Sequence, residues 1–124
     1  LNVKVTLAGD RLRLEAPAGV LAPELKELLA AHKQELICRL IWRNMLDRCN
    51  RSYRPGALAW CRQHFPELVN SLFTAEQQCQ AAYNRQDVAG VQQATVDWEA
   101  ALRRIVSLYE MAAEVLEVAA GNEF

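Results

Sequence analysis

The chain has 124 residues, 52 % of them apolar and 23 % charged, with a formal net charge of −1. That is the composition of an ordinary globular domain, which excludes the disordered, collagen-like and disulfide-scaffold classes. No uncharged apolar run approaches the length of a membrane span. The overall charge conceals a split. Residues 1–66 carry eleven basic against six acidic residues, a net +5, and residues 67–124 carry three against nine, a net −6. Such a division steers a partner or draws one half of a chain onto the other. The four cysteines, Cys38, Cys49, Cys61 and Cys79, contain no Cys-x-x-Cys pair. They read as free thiols of a cytoplasmic protein. The sequence shows no signal peptide, and its first residue is Leu1, not Met.

Residues 3–16 alternate strictly on either side of Gly9-Asp10, the pattern of a β-hairpin. A two-residue turn with Gly first suits type II′. It sets Leu7 against Leu12, Val5 against Leu14 and Val3 against Ala16 on one face. Lys4 then meets Glu15, Thr6 meets Arg13 and Ala8 meets Arg11 on the other. Pattern, register and charge pairing agree. Ala16-Pro17-Ala18-Gly19 ends the strand. Pro23 and Glu24 suit the start of a helix. Leu25, Leu28, Leu29, His32, Leu36 and Leu40 follow at helical spacing, predicting one helix from about 23 to 49 with His32 packed or capping on its apolar face.

A loop over 50–56 is punctuated by Pro55-Gly56. A short helix over 58–64 follows, then one over 66–84 with Leu68, Leu72, Phe73, Cys79 and Tyr83 for the core. The last helix runs over about 87–119. Its apolar stripe takes in Val91, Val96, Trp98, Leu102, Ile105, Leu108, Tyr109, Ala112, Val115 and Leu116, and Gly121 is a natural stop. The fold class expected is α+β, mostly α: an N-terminal hairpin packed on a long helix, followed by an antiparallel helical bundle. Residues 1–50 form the first unit and 51–124 the second, packed together as one.

Val5-Thr6-Leu7, Gly9-Asp10, Leu12-Arg13, Ala16-Pro17, Gly19, Pro23-Glu24-Leu25, His32-Lys33 and Glu35-Leu36 stand in an order that resembles the TubC-type N-terminal docking domain. That family occurs at the start of non-ribosomal peptide synthetase subunits and on other bacterial proteins. The resemblance implies a homodimeric module that presents its hairpin to a short segment of a partner protein. Carried over, the docking surface is Lys4, Arg11, Arg13, Leu14 and Glu15. Two departures stand out. The chain begins almost at the first strand, where the family has a helix. Ala22 also replaces the usual Thr or Ser that would cap the following helix. Residues 43–124 resemble no synthetase domain.

The hairpin has the same reading without the family. Two lone strands leave open edges, to which an extended peptide adds as a further strand. Arg11 and Arg13 favour an acidic one. The opposite reading is that edge cations repel such pairing.

A second surface is the arginine run Arg39, Arg43, Arg48, Arg51, Arg54 and Arg62, with Tyr53 between two of them. Arginine beside an aromatic suits phosphate and base contacts, so a nucleic-acid-binding accessory protein is the alternative function. The bland reading is that these arginines pair with the acidic last helix. Cys49, Cys61, His64 and Cys79 are four zinc-ligand types, but their spacing matches no zinc knuckle or finger. Buried core thiols are the simpler reading. Trp42, Trp60 and Trp98 read as core or interface anchors. No catalytic constellation, phosphate loop, metal or cofactor motif emerges, so the expectation is a non-enzymatic protein-interaction module with an acidic protein or peptide partner.

Overall fold

The computed structural model describes residues 4–9, 11–15 and 23–121, with the backbone alone over 116–121. Strands β1 (Lys4–Ala8) and β2 (Arg11–Glu15) form one antiparallel hairpin. The five pairs Lys4–Glu15, Val5–Leu14, Thr6–Arg13, Leu7–Leu12 and Ala8–Arg11 are those the alternation predicts. Gly9 has φ +66°, the left-handed value that a primed two-residue turn needs and that glycine adopts without a side-chain clash. Asp10, the Val3–Ala16 pair, the Ala16–Gly19 break and the uncapped Ala22 lie outside the described residues.

Five helices follow: α1 (Pro23–Ala31), α2 (Lys33–Ser52), α3 (Ala57–His64), α4 (Pro66–Asn84) and α5 (Val88–Gly121). The single helix expected over 23–49 is therefore two. They part at His32, whose φ of −109° and ψ of 17° leave the helical region. The backbone ladder continues through it, Leu28 accepting from the His32 N–H at 3.2 Å and His32 accepting from the Leu36 N–H at 2.9 Å. His32 is thus a bend rather than a stop. No residue of α1 is fully buried, so little packing among the described residues holds the two segments in line. His32 itself does not pack. Its side chain is 55 % exposed, and Nδ1 lies 3.3 Å from Glu35 Oε2, three residues on as in a capping pair.

The remaining boundaries follow local chemistry. Gly56, at φ +90°, precedes α3, and Pro66 opens α4 at a position where its missing N–H is no loss. Asp87 caps α5, its Oδ1 accepting from the Gly90 N–H at 3.0 Å. The core forms two clusters. One gathers Met45 and Cys49 of α2, Ala57 and Cys61 of α3, Val69 and Leu72 of α4, and Leu102, Ile105 and Val106 of α5. The other gathers Cys38, Cys79, Ala82, Val91 and Ala94. Both include residues of α5, against which α2, α3 and α4 all pack. Trp42 and Trp98 meet edge to face, 5.5 Å between centroids, and Trp60 packs on Phe65 and Tyr109.

Four apolar residues expected on buried stripes are exposed: Leu28, Phe73, Val96 and Val115. In α4 the buried row is Val69, Leu72, Ala75, Cys79 and Ala82, which leaves Phe73 one residue round the helix. In α5, Thr95 holds the inward position beside Val96. No helix among the described residues is long and apolar enough to cross a membrane.

Candidate functional site

The hairpin lies against α2 through both strands. Val5, Leu7, Leu12 and Leu14 share the inner face and are only half-buried, while Lys4, Arg11, Arg13 and Glu15 are exposed. In a two-residue hairpin the residues flanking the loop exchange both backbone bonds, and the pairs alternate from there. Arg11, Arg13 and Glu15 therefore turn their backbone groups toward β1. Leu12 and Leu14 turn theirs outward, to the free edge of β2. The cations of that strand stand on the solvent face, and its unpaired amides and carbonyls run along the rim beside them. Arg13 Nε sits 3.7 Å from Glu15 Oε1, with both side chains more than half exposed. Lys4 is the cross-strand neighbour of Glu15. The hairpin tip also borders a shallow crevice, where Leu7 and Gly9 face Ile41 and Asn44 of α2 and Thr95 and Val96 of α5.

Three of the six arginines of the second surface, Arg39, Arg48 and Arg54, are engaged within the chain. Arg48 Nη2 donates to Glu99 Oε1 of α5 at 3.1 Å, and Arg103 Nη2 donates to Glu99 Oε2 at 2.9 Å. The Glu99 side chain is only 15 % exposed. Hydrogen bonds from Arg48, then Arg103, outweigh desolvation and hold its carboxyl below the usual range. Arg54 reaches Glu110 at 3.7 Å, and its guanidinium lies over the Tyr109 ring. Two arginines of the positive half thus pair with the acidic last helix. Arg43, Arg51 and Arg62 make no ion pair among the described residues. Along α2, Arg39 and Arg51 stand about 18 Å apart at 1.5 Å per residue.

With this geometry in view, the comparison with known families bears on the hairpin and leaves the arginines aside. Residues 1–40 match the TubC N-terminal docking domain. The match takes in both strands and α1 and stops inside α2. It supports a role in docking to another protein, a role with no catalytic step. No curated protein and no solved structure matches the chain. The docking-domain residues singled out from the sequence fall together on one strand and its neighbour: Arg11, Arg13, Leu14 and Glu15 on β2, and Lys4 across from Glu15.

Just past the bend at His32 lies a polar cluster absent from the sequence reading. Arg39 Nε donates to the Tyr83 hydroxyl at 2.6 Å, the Tyr83 hydroxyl donates to Glu35 Oε1 at 3.0 Å, and Arg39 Nη2 donates to the same oxygen at 3.1 Å. The bond from Tyr83 is the main reason the Glu35 carboxyl sits below its ordinary range, with His32 next. Tyr83 had the appearance of a core residue in α4, and nothing local marks a partner 44 residues away. The cluster ties the end of α4 to the start of α2, just past the bend.

Beside it, α2 and α4 splay apart and leave an open crevice of about 350 Å³, bordered by Cys38, Trp42, Cys79 and Tyr83. Burial raises all four thiols, which makes them poor nucleophiles. The set Cys49, Cys61, His64 and Cys79 is not brought together. Cys49 and Cys61 belong to one core cluster, Cys79 to the other, and His64 lies over the Trp60 ring. Among the described residues no three metal-ligand side chains converge.

Proposed function

We propose that the N-terminal unit captures an extended acidic segment of a protein partner, which adds to the free edge of β2 as a third strand. The observation that supports this most is the open β2 edge alongside exposed Arg11 and Arg13, on a hairpin whose inner face is anchored to α2. Leu12 and Leu14 offer two amides and two carbonyls. Each backbone bond is worth on the order of 1 kcal/mol net, which does not offset the cost of ordering a peptide. Selectivity and the rest of the affinity then fall to side chains. Arg11, Arg13 and Lys4 attract carboxylates, Leu14 supplies apolar contact beside the rim, and Glu15 repels a segment docked in the wrong register.

The test begins with capture from host lysate, with and without nuclease. The acidic segment of the captured protein is then added as a synthetic peptide, and amide exchange is followed. The expected result is slowed exchange at Leu12 and Leu14, and loss of binding in Arg11→Glu/Arg13→Glu at unchanged Tm. Capture only without nuclease, with steep salt dependence and sensitivity to Arg39, Arg43, Arg51, Tyr53 and Arg54, would replace docking with nucleic-acid binding.

A further inference from the structure

Helix α5 runs for 34 residues, about 51 Å at the helical rise. The core it serves ends sooner. The last α5 residue packed on a cluster is Tyr109, and the last one paired with another element is Glu110. Beyond them Met111 is 58 % and Val115 67 % exposed. With Leu108, these residues follow a spacing of three and four, which is the seam of a coiled coil. At 100° per residue the seam lies roughly 120° round the helix from the face of Leu102, Ile105 and Tyr109. It is a second apolar face, separate from the one that builds the bundle.

Charge decides what covers it. Arg104 continues the seam one step toward the bundle, is exposed, and makes no ion pair among the described residues. Glu114 flanks the far end, and no basic residue follows Arg104 in the sequence. A parallel second copy would set Arg104 against Arg104 across the seam. An antiparallel one sets Leu108 against Met111, and Arg104 against Val115 and next to Glu114, twice over by symmetry.

We infer that the outer end of α5 is a self-association surface. Two copies pair antiparallel through Leu108, Met111 and Val115, with Arg104 of each beside Glu114 of the other. The surface lies outside residues 1–40 and does not depend on the docking edge.

Sedimentation equilibrium of the full chain tests this. The wild type is expected to dimerise, and Met111→Glu/Val115→Glu to be monomeric with an unchanged circular dichroism spectrum. Arg104→Glu and Glu114→Arg should each raise the dissociation constant by about tenfold or more. The chain carrying both exchanges should regain wild-type association, an outcome that a folding defect cannot mimic. A wild type that stays monomeric up to about 0.1 mM overturns the inference. So does a dimer that survives the two glutamates, a double exchange no better than either single one, or a dimer abolished by Leu28→Asp on α1.

Discussion

The two ends of the chain are packed differently. Every buried residue among those described lies at or after Ile37, while the hairpin and α1 contain none. The bundle carries fully enclosed side chains such as Met45, Val91 and Ile105. The hairpin holds its leucines half-covered on one helix. With few buried contacts, the N-terminal unit belongs to the low-stability end of the molecule, as the proposed strand addition to an open edge requires. The bundle supplies a platform for it through α2, which packs on both strands and also enters both core clusters.

The sharpest way to break this comparison is to remove matched apolar groups from each side. Ile105→Ala takes a fully enclosed side chain from the larger cluster and should cost about 3 kcal/mol or more. Leu14→Ala, on the half-buried face of β2, should cost about 1 kcal/mol or less, since less area leaves water and the site can relax. Thermal unfolding of the two variants checks the ratio. Equal losses would mean that the hairpin is part of the cooperative core.

The hairpin was legible because every signal for it is local. Alternation, the Gly9-Asp10 turn and the Lys4–Glu15 pairing all lie within twelve residues and agree. Pro66 and Gly56 likewise marked α4 and α3 from their own backbone chemistry. The bend at His32 was not legible, because no glycine or proline sits there and the apolar spacing runs straight through. It goes with the sparse tertiary packing of α1 among the described residues, which no local signal reports. The Arg48–Glu99 pair and the Arg39–Tyr83–Glu35 cluster join residues 44 to 51 positions apart. Periodicity gives the face of each helix, but not the rotation at which two faces meet. For the same reason the apolar residues of α5 read as one stripe, whereas Tyr109 turns inward and Val96 and Val115 turn out.

A second prediction concerns the charge contacts that hold α2 on α5. Glu99 has its carboxyl pKa depressed in the folded chain, so the unfolded chain binds more protons in that range. Its contribution to stability is present above the ordinary carboxylate pKa of about 4.5 and is lost as pH falls through the lower folded value. Glu99→Gln should cost about 1 kcal/mol at neutral pH, between the values for exposed and buried pairs. The cost should shrink on acidification below pH 4.5, tracked by urea unfolding at several pH values. A penalty that does not change with pH would mean that packing, and not charge, makes the contact.

The finest test uses the two left-handed glycines, one in each region. At Gly9 an added Cβ would meet nothing within 4 Å, so Gly9→Ala carries only the backbone penalty of φ +66°, about 1 kcal/mol. At Gly56, φ is +90° and the new Cβ would lie 3.3 Å from the Tyr109 hydroxyl oxygen, which must give way. Gly56→Ala should therefore lower the Tm of the bundle. Gly9→Ala should leave Tm within a degree or two and act locally, loosening the strand pairs next to the turn. Amide exchange separates the two results. In Gly9→Ala, exchange should quicken at β1 and β2 while Val69 to Ala82 keep their protection. If protection falls across α4 and α5 as well, hairpin and bundle open together, and the docking edge is as firmly held as the core beneath it.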